Sequence, residues 1–95
     1  LCIMSLVTLL QDLVRINSVN AFYEQGPGEA EIANYVERFF VKLGIDCFRQ
    51  DVLPGRQNVI ARLPGATHRK LVLEAHLDTV SVQGMTIDPF EARIE

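Results

Sequence analysis

The feature that most constrains the fold is a short apolar run, Leu71 to Ala75, which leads into His76 and, two residues later, Asp78. A run that is continuously apolar apart from Glu74 is typical of a central strand covered on both faces. Side chains alternate between the two faces of a strand, so residues two apart point the same way. We therefore expect His76 and Asp78 to share a side where a strand passes into a loop, the place where α/β folds build their sites.

An imidazole and a carboxylate at such a strand end suit a divalent metal. Histidine is a common zinc ligand, and carboxylates either bind the metal or orient the histidine ring. Spacing alone leaves other interpretations open. His76 also fits a hydrogen-bonded core histidine, and Asp78 fits a residue that starts a turn.

The bulk properties indicate an ordinary globular chain. Its 95 residues make one small domain or part of a larger one, and the net charge is −3. Because lysine and arginine are not clustered, a nucleic acid or an anionic membrane is an unfavourable partner. Cys2 and Cys47 are too few for a disulfide framework or a cysteine-based metal site, so a reducing, cytoplasmic setting is the default.

Two amphipathic helices are predicted before the strands. The first runs from about Ser5, a plausible N-cap, to Ile16. The second runs from about Glu29 to Leu43 and ends at Gly44, which takes the left-handed conformation cheaply. The apolar stripe of the first helix, which we expect to face the core, consists of Ile3, Leu6, Leu10, Leu13 and Val14.

Three strands are predicted after the helices: Ile45 to Val52, Asn58 to Leu63, and Leu71 to Ala75. The short Pro54-Gly55 turn predicts that the first two pair antiparallel. The order helix, helix, strand, strand, strand indicates an α/β fold. The third strand would keep an unpaired side, which predicts further sequence downstream or strand pairing with another chain.

Four segments together carry a resemblance to a known family. They are Leu13 to Asn20, Asn58 to Gly65, His76-Leu77-Asp78-Thr79-Val80, and Asp88-Pro89-Phe90. On these residues the chain resembles the N-terminal part of the zinc amidohydrolases that include acetylornithine deacetylase, succinyl-diaminopimelate desuccinylase and the glutamate-releasing carboxypeptidases. The resemblance implies that residues 1–95 are the first portion of a zinc-binding catalytic domain, part of a three-layer αβα sandwich without the lid and dimerisation domain.

The resemblance also implies roles for two residues. His76 would bind one of two zinc ions, with cobalt or another divalent metal as an alternative, and Asp78 would be the catalytic-site residue that holds the histidine ring. The bridging aspartate, the general base and the remaining ligands would lie beyond Glu95, so this piece alone is expected to be inactive. Ser81 and Met85 depart from the proline and tryptophan that family members often carry, which affects the pocket wall more than the chemistry.

Two functions follow as hypotheses. The first is a metal-dependent hydrolase that cleaves the amide bond of an N-acyl amino acid or small peptide, working as a homo-oligomer or strand-paired assembly. The second is a non-catalytic α/β module that uses the same scaffold for binding or assembly. The sequence does not name the acyl group or the amine, because a fold-level likeness does not supply specificity.

Overall fold

The computed structural model describes residues 5–95, and in that range the fold is mixed α/β. Two helices, α1 (Leu6–Arg15) and α2 (Ala30–Lys42), precede two strands, β1 (Asp46–Leu53) and β2 (Arg56–Arg62). The strands form one antiparallel two-stranded sheet. The predicted order of helices and strands is confirmed up to this point.

Helix α1 begins as predicted at the N-cap Ser5, whose Oγ accepts a hydrogen bond from the Thr8 amide at 3.1 Å. Its apolar stripe is mostly uncovered by the described part of the chain, since Leu6 is 80% and Leu10 is 59% exposed. The prediction that this stripe faces a core is therefore wrong for Leu6 and Leu10. Leu13 is half-buried, and the C-terminal segment lies beside the helix, where Gln11 Nε2 donates to the Ala92 carbonyl at 2.8 Å. Ile3, the first residue of the stripe, lies outside the described residues.

Helix α2 supplies most of the core. Ile32 and Ala33 of this helix are buried, and the helix packs against both strands. The helix ends in a Schellman arrangement: the Gly44 amide donates to the Val41 carbonyl and the Ile45 amide to the Phe40 carbonyl. Gly44 has φ 73°, which confirms the predicted left-handed residue after the helix.

Arg49 links the hairpin to α2. Strands β1 and β2 pair antiparallel, as predicted, around a turn in which Gly55 has φ 71°. From β1, Arg49 donates to Glu37 on α2 at 3.1 Å and to Gln57 on β2 at 3.2 Å. The Arg49 side chain is only 17% exposed, so its guanidinium group lies between the helix and the sheet.

The predicted third strand is not formed in the described part of the chain. Leu71, Val72 and Leu73 are 85%, 80% and 88% exposed and belong to neither β1 nor β2. Apolar patterning predicts where a strand can form, but a strand also needs a hydrogen-bonded neighbour, and no segment of residues 5–95 lies alongside. No helix within residues 5–95 is long and apolar enough to cross a membrane.

Candidate metal centre

The centre is built on the loop that follows α1, and two asparagines shape that loop. Asn17 Oδ1 accepts from the Val19 amide at 3.1 Å, and Asn20 Oδ1 accepts from the Phe22 amide at 2.7 Å. Such side-chain-to-backbone bonds two residues on are the turns that asparagine favours. Between the two turns, Ser18 and Val19 are buried, at 1% and 5% exposure. The middle of this loop is therefore held against the rest of the molecule.

The same loop pairs with the segment that follows His76. The Thr79 amide donates to the Ser18 carbonyl at 2.9 Å, and the Asn20 amide donates to the Thr79 carbonyl at 3.0 Å. Val19 and Thr79 thus form an isolated parallel bridge. Because the bridge fixes the backbone on both sides of Val19, it brings the side chains of Asn20 and Asp78 together.

The structure brings His76 and Asp78 together on one side of the chain. His76 Nδ1 lies 2.6 Å from the Asp78 carbonyl oxygen and 3.3 Å from Asp78 Oδ1. A carbonyl oxygen only accepts, so the proton of a neutral His76 ring belongs on Nδ1. The lone pair on Nε2 is then free, and this is the nitrogen that a metal would need.

The Asp78 carboxylate is divided between two neighbours. Its Oδ1 faces the His76 ring, while its Oδ2 accepts a hydrogen bond from Asn20 Nδ2 at 2.8 Å. The Asn20 hydrogen bond lowers the pKa of Asp78 below its ordinary value; partial burial opposes this shift, and His76 adds to it. Asp78 is therefore a carboxylate at neutral pH, and its negative charge beside the ring would favour the binding of a cation at Nε2.

An open cavity of about 260 Å³ lies in front of this pair, and its wall includes Asn20, Phe22, Tyr23, His76, Asp78, Thr79 and Val80. The His76 side chain is 83% exposed there. An accessible imidazole whose Nδ1 is held by the Asp78 carbonyl, with the Asp78 carboxylate 3.3 Å away, has the donor chemistry that zinc takes. Residues 5–95 contain no group of three or more His, Cys, Asp or Glu side chains that could hold a metal ion. Within this part of the chain, His76 is therefore a single candidate donor.

An ion pair between a buried carboxylate and a partly exposed guanidinium lies at the start of α2. Arg56 Nε donates to Glu29 Oε1 at 2.6 Å, and the Glu29 side chain is only 10% exposed. This hydrogen bond raises the pKa of Arg56, and the negative charge of Asp78 contributes to the same shift. Arg56 therefore connects β2 to the loop region and lies close enough to Asp78 for their charges to interact.

Other residues considered from the sequence lie away from the centre. His68 and Glu74 are exposed, and the half-buried Cys47 has its pKa raised, chiefly by burial. Asp88 shapes a turn, since its Oδ1 accepts from the Phe90 amide at 3.0 Å.

Asn20 is the residue that sequence reasoning missed. The sequence does predict a turn at Asn20, because this residue follows the first helix in a cluster with Asn17 and Ser18. Its contact with Asp78 depends on the bridge between Val19 and Thr79, and no local sequence pattern predicts that bridge.

No protein-family model matches the chain, and neither a curated protein nor a solved structure matches it.

Proposed function

We propose that this chain is the N-terminal part of the catalytic domain of a zinc-dependent hydrolase that cleaves the amide bond of an N-acyl amino acid or small peptide. One observation carries the proposal: the His76 ring is tied through Nδ1 to Asp78 and leaves Nε2 accessible beside an open cavity. The sequence around the pair, from His76 to Val80 and from Asp88 to Phe90, supports the same class through its resemblance to the zinc amidohydrolases.

His76 would hold one of two zinc ions, and Asp78 would orient the ring and keep Nε2 basic. When bound, the metal pair supplies Lewis acidity toward an amide carbonyl and lowers the pKa of a water. A catalytic zinc usually takes about three protein ligands. We therefore propose that the remaining ligands and the glutamate general base are contributed by sequence beyond Glu95.

The exposed apolar segment that begins at Leu71 also supports this proposal. Leu71, Val72 and Leu73 are mostly exposed in residues 5–95, which is costly for aliphatic side chains. In the proposed catalytic domain, Leu71 to Ala75 becomes a central strand of a three-layer αβα sandwich, with helices and strands from further sequence on both sides. We propose a cytoplasmic homo-oligomer for the complete protein, with zinc or another divalent ion such as cobalt.

The alternative, a non-catalytic binding module, makes the opposite prediction in one experiment. The full-length protein is purified with its metal, assayed on a panel of N-acyl amino acids and small peptides, stripped with a chelator, and reloaded with zinc. We expect amide hydrolysis that disappears on stripping and returns on reloading. A metal-loaded protein that hydrolyses no member of the panel favours the module, and full activity after verified metal removal rules out the zinc mechanism.

A further inference from the structure

We infer that Asn20 is a positioning residue of the metal centre: its side-chain amide holds the Asp78 carboxylate in the orientation that places Oδ1 beside the His76 ring. The metal part of this inference rests on the proposed function. The contact itself is a hydrogen bond of 2.8 Å from Asn20 Nδ2 to Asp78 Oδ2, between side chains that are partly buried.

The contact matters because each of the two carboxylate oxygens of Asp78 faces a different neighbour. The oxygen that accepts from Asn20 cannot also face His76, so the second oxygen, Oδ1, is directed at the ring, 3.3 Å from Nδ1. Without Asn20, the carboxylate is free to rotate about its side-chain bonds toward solvent. The ring would then keep only the Asp78 backbone carbonyl as a partner for Nδ1.

Asn20 is itself held on several sides, which is what a positioning residue requires. Its Oδ1 is occupied by the Phe22 amide at 2.7 Å, so the orientation of the side-chain amide is determined and Nδ2 is the atom that faces Asp78. Its backbone amide donates to Thr79, and its carbonyl accepts from Tyr23. The backbone and Oδ1 of Asn20 are therefore fixed independently of the contact between Nδ2 and Asp78.

The amide also suits the charge of the centre. A neutral N–H donor orients a carboxylate without cancelling its charge, whereas a lysine or arginine would form an ion pair that competes with the metal-bound ring for the same oxygens. An aspartate in place of Asn20 would keep the acceptor for Phe22 but set two carboxylates against each other.

This last difference supplies the test. Two variants of the full-length protein are compared with the wild type: Asn20→Ala, which loses both side-chain contacts, and Asn20→Asp, which keeps the turn to Phe22 and loses only the donor to Asp78. Asn17→Ala is the matched control, because Asn17 makes an equivalent turn, with Val19, and does not contact Asp78. Crystal structures of the metal-free proteins, zinc affinity by chelator competition, and kcat and KM are measured for each.

We expect the Asp78 carboxylate to turn away from His76 Nδ1 in both Asn20 variants and to stay in place in Asn17→Ala. Zinc affinity and kcat should fall about tenfold in the Asn20 variants, with KM little changed, at the lower end of the range for partners of metal ligands. If Asn20→Ala does not fold, Asn20→Asp carries the comparison, because its turn is intact.

An unmoved Asp78 carboxylate with wild-type zinc affinity in Asn20→Asp would overturn the inference. A wild-type protein that binds no zinc would instead overturn the proposed function. In that case the orientation of Asp78 in the same crystals still decides whether Asn20 positions it, so the two failures are distinguishable.

Discussion

The amide of Thr79 donates a hydrogen bond of 2.9 Å to the carbonyl of Ser18, and this contact joins the loop after α1 to the segment that carries His76 and Asp78. Ser18 is 1% exposed, so one partner of this contact is buried, whereas Thr79 is exposed. The candidate metal centre therefore depends on a loop-to-loop pairing and not on the regular strands of the sheet.

The close approach of Gly26 to this loop gives a prediction on stability. A Cβ at Gly26 would lie 2.1 Å from the Asn20 carbonyl oxygen, so Gly26→Ala must force the loop apart. We expect a loss of about 1–3 kcal/mol of unfolding free energy, in the range of overpacked sites, together with weaker zinc binding. Denaturant unfolding checks the first effect. Gly65→Ala is the control, since nothing lies within 4 Å of its added Cβ, and an equal loss in both variants would contradict the steric reason.

A second prediction concerns the ion pair between Glu29 and Arg56. Glu29 Oε2 is buried without a hydrogen-bond partner within residues 5–95, so Oε1 and its bond to Arg56 stabilise the whole carboxylate. Arg56→Met should lower the melting temperature by several degrees, because a buried charge loses its partner. Arg93→Met is the control, because the pair that Arg93 forms with Glu95 is well exposed and such pairs contribute little. Equal melting temperatures for the Arg56 and Arg93 variants would contradict this account of the pair.

A third prediction follows from the lowered pKa of Asp78, which the Asn20 hydrogen bond causes first of all. In acid, the unfolded chain binds a proton at Asp78 more readily than the folded chain does. The stability that Asp78 provides is therefore present above the ordinary aspartate pKa of about 4 and is lost as the pH falls through the lower, folded-state value.

Melting temperatures of the wild type and Asp78→Asn, measured from about pH 6 down to about pH 3, test this sign. The advantage of the wild type should shrink as the solution becomes more acidic. Asp46→Asn, at an exposed carboxylate on β1, is the control and should follow the wild type. An advantage that grows in acid would mean that the folded state favours the protonated form of Asp78.

Local patterns predicted much of the fold, because the elements that formed are stabilised by near neighbours. Ser5 caps α1 through Thr8, and Gly44 ends α2. The turn at Gly55 closes the hairpin. The spacing of His76 and Asp78 was also a local signal, because side chains two apart on extended chain share a face.

What the sequence could not predict depends on partners distant in the chain. The Leu71 to Ala75 run is as apolar as a central strand, yet a strand needs a neighbour and residues 5–95 provide none. The contact of Asn20 with Asp78 needs the bridge between Val19 and Thr79. Neither the missing strand nor this contact has a signature within a window of a few residues.

The most direct measurement compares His76→Ala with His68→Ala in the full-length protein, since the His76 imidazole faces the cavity and His68 is exposed elsewhere in the chain. Bound zinc per chain and amide hydrolysis are determined for both variants after purification in limiting zinc. We predict that His76→Ala loses bound zinc and at least about two orders of magnitude of activity, while His68→Ala keeps wild-type values of both. Wild-type zinc content and activity in His76→Ala would contradict the assignment of this ring to the metal.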